Sequence, residues 1–402
     1  MSEKSTLPIW FDDSPQHAES WLEKILSRFI SRMEQGHLRL AVPGGRIFTA
    51  RGTTAALPEA HMQINRWRAV MRVITAGDLG FADGYIDNDW TSDDLPALIE
   101  LAARNRRPIG GTIRPSMLGR TIARIGHVLR SNTPSGSRRN IMAHYDLGND
   151  FYAQWLDRGM SYSSALYQRE DQSLEQAQSV KQKRIIELLR ADAGMRVLEI
   201  GCGWGGLAGI MAERGLEVTG LTLSSAQLDY ARARAPGVDV RLQDYRDARG
   251  MFDRIVSIEM VEAVGERFWP AYFAQLKNLL APAGKIVLQA ITIDEGLFDG
   301  YRRDVDFIQR SVFPGGMLLT KGLIERHLRD AGLRLCGMEH FGDSYARTLA
   351  EWRRRFLEAW PAIEAMGFPA RFKRLWDYYL AYCEGGFRAR SIDVGFYQAE
   401  HG

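Results

Sequence analysis

The spacing of hydrophobic positions changes character along the chain. In AESWLEKILSRFISRME (18–34) apolar residues recur as on one face of a helix, whereas HLRLAVPG (37–44) and GRIFTARG (45–52) read as short strands. The stretch AGDLGFADGYIDNDWTSDDLPALIELAARN (76–105) ends in a predicted helix with Ser92 as its N-cap. From about residue 141 the pattern becomes strand, glycine turn, helix, repeated. Apolar runs fall at Met195–Ile200, Glu217–Leu223, Val238–Leu242, Arg254–Ile258 and Lys285–Ile293, with helix-like stretches between them. Continuous apolar strands alternating with helices predict an α/β unit with a mostly parallel sheet covered on both faces. Such sheets bind ligands outside the carboxyl ends of their strands, where strand order reverses.

A chain of 402 residues suggests two domains. The expected division is a small α+β domain over 1–103, a linker over 104–140 and the α/β domain over 141–402. The balance of 52 basic against 49 acidic residues, a net +3, argues against a nucleic-acid-coating protein. The average hides one asymmetry: nine arginines lie between residues 104 and 140, and no acid occurs between Glu100 and Asp146. A solvated linker with a short amphipathic helix from Ser116 to Leu129 is one reading. A surface for an anionic bilayer is the other, since each basic residue near such a surface adds about 1 kcal/mol. Nucleic acid is a weaker candidate, because the segment lacks interleaved aromatics. Cys202, Cys336 and Cys383 are too few for a disulfide framework and match no zinc spacing. No apolar run reaches 18 residues and the first residues lack a signal-peptide pattern. The expectation is a cytoplasmic protein with at most peripheral contact with the inner face of the cell membrane.

Candidate chemistry begins at the strand VLEI, which runs into Gly201-Cys202-Gly203-Trp204-Gly205-Gly206. A GxGxxG between strand and helix is shared by dinucleotide enzymes and methyltransferases. Glu199, two residues before the first glycine, suits a ligand ammonium and repels a pyrophosphate. The acid that reads an NAD ribose about 20 residues later is absent, the second strand ending Leu221-Thr222-Leu223-Ser224. Gln227 is placed for ribose or amino-acid contacts. Asp244 is placed to accept from an adenine amino group, or else to cap a helix. These features favour S-adenosylmethionine over NAD.

The segment HYDLGNDFY (144–152) with MSYSSA (160–165) resembles the entry motif of the cyclopropane-fatty-acyl-phospholipid synthases and the related mycolic acid methyltransferases. VLEIGCGWGG, GLTLSSAQ, LQDYRD, FDRIVSIEMVEAVG, FPGG, Tyr345 in FGDSYARTL and Cys383 in YCEGGFRAR follow in the family's order, over about residues 60–400. The resemblance implies a Rossmann-like class I methyltransferase sheet with helical lid insertions, preceded by the small α+β domain. It implies alkylation of a cis double bond in phospholipid acyl chains, with dimers among relatives. Cofactor contacts carry over to Tyr162, Ser163, Gly201, Gly203, Thr222, Gln227, Asp244 and Tyr245. A bicarbonate ion serves the family as base, and its holders correspond to Ser164, Glu262, Gln289, the backbone of Ile291, and Tyr345.

Two of those holders depart from the common pattern. Many members have Cys and His where this chain has Ser164 and Gln289, and Ala263 replaces a common His. Ser and Gln still donate hydrogen bonds, but neither carries charge. A weakened or displaced base changes which proton the cation loses, so a cyclopropane and a methyl-branched alkene are both open. Each candidate also has a structural reading. Glu262 can be a loop acid, Tyr345 a core tyrosine, and Cys383 a small buried hydrophobe. Phe151, Trp155, Phe307, Trp352, Phe356, Trp360, Trp376 and Tyr379 read mostly as core. A small-molecule methyltransferase and an inactive lipid-binding protein are the competing functions.

Overall fold

The computed structural model describes residues 21–106 and 147–402. Most of the arginine-rich linker, its expected helix, and the first three residues of HYDLGNDFY lie outside them. The described chain forms two compact units.

The first unit holds residues 21–106 together with Phe368–Ser391. Its elements are α1 (Trp21–Ile30), β1 (Gln35–Ala41), β2 (Ile47–Arg51), β3 (Thr54–Ile64), α2 (Arg68–Ile86), β4 (Trp90–Thr91) and α3 (Leu95–Arg104). The sheet order is β2-β1-β3-β4, with β1 antiparallel to β2 and parallel to β3. Helix α3 starts after Asp94, whose side chain accepts from Ala97 N–H at 3.0 Å. Ser92 is therefore not the cap; its hydroxyl donates to the His61 carbonyl of β3 instead. The helix Ala370–Arg388 also belongs to this unit, so a single cut at residue 140 does not describe the chain. It lies against α3 at Gly385, where a Cβ would stand 2.6 Å from Ile99 Cγ2. Its Asp377 accepts from Tyr85 Oη at 2.5 Å, and its Arg374 lies over the Tyr85 ring. Arg104 is tied to Glu100 and the Arg388 carbonyl, and Arg106 faces Asp78.

The second unit contains α4 (Asn149–Ala153), α5 (Leu174–Leu189), β5 (Arg196–Ile200), α6 (Gly206–Glu213), β6 (Glu217–Thr222), α7 (Ser225–Arg234), β7 (Asp239–Leu242), β8 (Phe252–Ile258), α8 (Trp269–Leu279), β9 (Leu280–Ile293), α9 (Glu295–Arg303), α10 (Phe307–Ser311), α11 (Lys321–Asp330), β10 (Leu333–His340), α12 (Gly342–Glu358), α13 (Trp360–Ala365) and β11 (Ile392–His401). Helix Ala370–Arg388 is α14. The sheet order is β10-β11-β9-β8-β5-β6-β7. The five strands β5–β9 are parallel, as their apolar runs predict, and β11 inserts antiparallel between β9 and β10.

Why those runs are continuous is visible in the packing. Leu198, Ile255, Ile286 and Leu288 join Trp269, Phe273 and Leu276 of α8 in one core. Their neighbours Val197, Val256 and Val287 join Ile185 and Leu189 of α5 and Met211 of α6 in the other. Alternate side chains leave opposite faces, and both faces are covered. Chain order reverses at β5, which has β6 on one side and β8 on the other. The switch point thus lies at Gly201 and Glu259, the residues that follow these two strands.

Candidate active site

The turn after β5 needs glycine. Gly201, Gly203 and Gly205 have φ of 82°, 53° and 79°, values that side chains resist. Trp204, within the turn, donates from Nε1 to Asn149 Oδ1 at 2.8 Å, pinning the turn to α4. After β6, Thr222 Oγ1 donates to Gln227 Oε1 at 2.8 Å, and Ser224 caps α7. Asp244 takes the capping role: it accepts from Arg246 N–H and pairs with the Arg246 guanidinium. Tyr245 is buried beside it, edge-on to Tyr272.

Beneath the turn, Glu199 is 3% exposed, and its Oε2 makes no hydrogen bond. Burial pushes its carboxyl up to about 8, with the Lys181 cation working against that rise. Lys181, on α5, is itself buried and donates to Ser163 Oγ at 2.7 Å. Desolvation brings this amine down to about 8, opposed by Glu259, Asp157 and Glu199. Gln178, one turn earlier, holds the Ser163 carbonyl at 2.9 Å.

The second cluster centres on a residue that the motif-by-motif reading passed over. Glu259 directly follows β8 with φ of 49°, its N–H continuing the ladder to the Gln289 carbonyl. Its Oε1 accepts from Ser164 N–H at 2.8 Å and Gln289 Nε2 at 2.7 Å, and its Oε2 accepts from Tyr345 Oη at 2.6 Å. Burial raises this carboxyl, and the three donors oppose the rise, Tyr345 foremost. Glu262 lies in the next turn. Its Oε1 accepts from Ile291 N–H at 2.5 Å, while its Oε2 is buried without a hydrogen bond. Burial, and then the charge of Glu259, push Glu262 up to about 8.

Ser164, Gln289 and Tyr345 therefore converge as expected, but on a side chain of the protein. Ser164 contributes its backbone N–H; its hydroxyl donates to the Ala165 carbonyl. The identity of side chain 164 thus matters less than the sequence comparison implies. Helix α12 fixes this arrangement from one side. Besides Tyr345 it offers Thr348 Oγ1 to Ala165 N–H and Ser344 Oγ to Tyr167 N–H. Aromatic rings link the two clusters, from Tyr345 through Trp352 and Tyr162 to Tyr152 and Trp204, with centroids 5.2–6.0 Å apart. Phe151, Trp155, Phe307, Trp352, Phe356 and Trp360 are buried, as read from their spacing. Cys383 lies half-buried on α14, in the first unit, whereas every other site candidate is in the second.

The model of the mycolic acid cyclopropane synthetase family matches residues 133–397. The chain belongs to this family. It is 39% identical over 334 residues to the cyclopropane-fatty-acyl-phospholipid synthase of Escherichia coli K12, a match spanning 80% of this chain and 83% of that protein. It is 37% identical over 369 residues to the tuberculostearic acid methyltransferase UfaA1 of Mycobacterium tuberculosis, spanning 85% and 84%. Among solved structures, mycolic acid cyclopropane synthase CmaA1 complexed with SAH and CTAB is 28% identical with a TM-score of 0.62. That match covers 65% of this chain and 97% of that one. Like its family, this chain is an S-adenosylmethionine-dependent methyltransferase.

The residues present fit that cofactor. Glu199 Oε2, Glu262 Oε2 and Gln289 Oε1 are buried acceptors without hydrogen-bond partners, a set complementary to a cationic guest. Tyr162, Ser163, Gly201, Gly203, Thr222 and Gln227 surround the carboxyl end of β5 and would hold it. They do not fit a bound bicarbonate. The donors assigned to that ion are engaged by the carboxylates of Glu259 and Glu262. Glu259 carried one sequence signal: an acid directly after the apolar run RIVSI. Lys181 carried none, since a lysine on an amphipathic helix is ordinarily solvated.

Proposed function

We propose that the protein transfers a methyl group to the cis double bond of an unsaturated acyl chain in a membrane phospholipid and closes it into a cyclopropane ring. The observation that carries this reading is a half-buried carboxylate, Glu259, held by three donors and joined by a run of tilted and edge-on aromatic contacts to the glycine turn. When bound, S-adenosylmethionine would supply an electrophilic methyl to the alkene π pair, the electrons of its sulfur–carbon bond going to the sulfur. A carbocation remains on the acyl chain. The chain's residues must then exclude water, stabilise positive charge and accept a proton. Trp352, Tyr162 and Trp155 pack together beside Tyr345, aromatic rings of the kind that stabilise a cation, and Glu259 would add negative charge when ionised.

Loss of a proton from the new methyl closes the ring, whereas loss from the chain gives a methyl-branched alkene. The likeness to tuberculostearic acid methyltransferase UfaA1 supports the second outcome as the alternative. Vesicles with cis-unsaturated chains, given methyl-labelled S-adenosylmethionine and the purified protein, are expected to yield labelled lipid with the high-field ring-proton NMR signals of a cyclopropane. Olefinic signals with a branch methyl would assign the alternative. No labelled lipid, with cofactor binding intact, would return the protein to the lipid-binding class.

A further inference from the structure

We infer that Glu259 is a base built into the chain, occupying the place of an exchangeable bicarbonate, and that its Oε2 receives the proton given up when the ring closes. The inference rests on the acyl-chain alkylation proposed above.

Occupancy is the first argument. The Ser164 N–H, the Gln289 amide and the Tyr345 hydroxyl all point at one carboxylate, and that carboxylate belongs to residue 259. A free anion competing for the same donors has to displace a tethered one. Counting lone pairs gives the second argument. A carboxylate offers about four acceptor positions. Oε1 uses two, for Ser164 and Gln289, and Oε2 uses one, for Tyr345. One position remains, on Oε2.

Glu262 is the competing base, and its surroundings tell against it. A single donor, Ile291 N–H, meets Glu262, whereas three meet Glu259. Burial and the neighbouring charge of Glu259 both favour its neutral form. Burial raises both carboxyls, and the geometry separates them: three donors stabilise the charged form of Glu259 and one that of Glu262. The buried Lys181 cation interacts with Glu259 and helps to keep it ionised.

The step balances simply. The methyl C–H bond breaks, its electron pair forms the third ring bond and quenches the carbocation, and the proton becomes the Oε2–H of a neutral Glu259. The carboxyl returns that proton to water after product leaves.

Two variants test this. Residue 259 has a left-handed φ, so glycine fits without strain, and Glu259→Gly leaves an anion-sized space facing three intact donors. Glu259→Gln fills the space with a neutral isostere. In bicarbonate-depleted buffer the wild-type protein is expected to keep full turnover. Both variants should lose about 100-fold or more, the usual contribution of a general base, with cofactor affinity retained. Added bicarbonate should restore Glu259→Gly saturably and leave Glu259→Gln inactive. Independently of any lipid, carbon-13 bicarbonate NMR should detect binding to Glu259→Gly and none to the wild type. Bicarbonate binding or dependence in the wild type would overturn the inference. So would a Glu259→Gly protein that binds cofactor but neither binds bicarbonate nor responds to it. Because the binding measurement uses no lipid, its failure is distinguishable from failure of the acyl-chain reading.

Discussion

Tyr345 and Glu259 are 86 residues apart, yet the phenol of one donates to the carboxylate of the other at 2.6 Å. The contact joins the carboxyl end of β8 to the first turn of α12. It is a hydrogen bond to a charged group, of the kind worth about 1.5–3 kcal/mol. Tyr345→Phe should therefore lower turnover about 10- to 100-fold. Removing a donor destabilises the ionised carboxylate, so the pKa of Glu259 should rise. Because the base works ionised, the acid limb of the pH–rate profile should move to higher pH. Cofactor affinity should not change. Equal loss of turnover and cofactor affinity, with an unmoved pH profile, would make Tyr345 a packing residue only.

Glu199 and Glu262 make stability depend on pH in a stated direction. Both carboxyls rise on folding from an ordinary 4.5 to about 8. Between those values the folded protein binds more protons than the unfolded chain, so stability is fully present below about 4.5 and is lost as pH rises toward 8. Lys181 moves down to about 8 and acts in the opposite sense only above that pH. Denaturant titrations of the cofactor-free protein should thus show falling stability from pH 5 to 8. Glu199→Gln and Glu262→Gln should each flatten the slope. A slope unchanged in both variants would mean that these groups ionise freely in the folded state. With the S-adenosylmethionine ammonium proposed to lie beside Glu199, the cofactor should bind more tightly as pH rises.

How far the sequence carried follows from what each residue's neighbours are. Strands β5–β9 were legible because both their faces are buried and their runs are unbroken. Strands β10 and β11 were not. The first is exposed at every second position and fully buried only at Leu333, and the second pairs with β9 across about a hundred residues, as in Ile392 opposite Ile293. Ser164, Gln289 and Tyr345 were picked out by family resemblance, but the group they bind was not. Glu259 follows a strand whose apolar pattern ends one residue earlier, and only the fold brings three donors from distant segments onto it. Asp244 is favoured in the sequence as a contact to an adenine amino group, and the structure shows its carboxylate also capping the turn and pairing with Arg246. Cys383 was grouped with the site by family resemblance alone. The contacts of its helix, α14, with Tyr85 and Ile99 put it in the first unit.

Lys181 is the buried cation that Glu199, Glu259 and Asp157 share. Lys181→Met preserves the stem and removes the charge and the bond to Ser163. Breaking one side of a buried ionic group costs about 3–5 kcal/mol, because the other side stays buried and uncompensated. The cost should be smaller at pH 5.5 than at pH 8, since protonating the carboxylates relieves the imbalance. Denaturation midpoints at the two pH values check this. A pH-independent loss would indicate that packing of the lysine stem, rather than its charge, is what matters.

The arginine-rich segment is proposed as the contact with an anionic bilayer, and the described residues narrow which arginines to change. Arg104 is committed to Glu100 and to the Arg388 carbonyl, so replacing it perturbs the first unit rather than a free surface. Arg107, Arg138 and Arg139 are the better choices, with Arg106→Gln, which also loses Asp78, as a structural control. Converting all three to Gln should weaken binding to vesicles containing anionic lipid. At about 1 kcal/mol for each charge near the surface, the full loss amounts to roughly 100-fold. The difference should shrink as salt is raised from about 0.01 to 0.15 M, because screening shortens the range of the interaction. Turnover on a detergent-dispersed substrate should be unchanged. If vesicle binding by the triple variant equals wild type at low salt, the segment is a connector and the bilayer contact lies elsewhere.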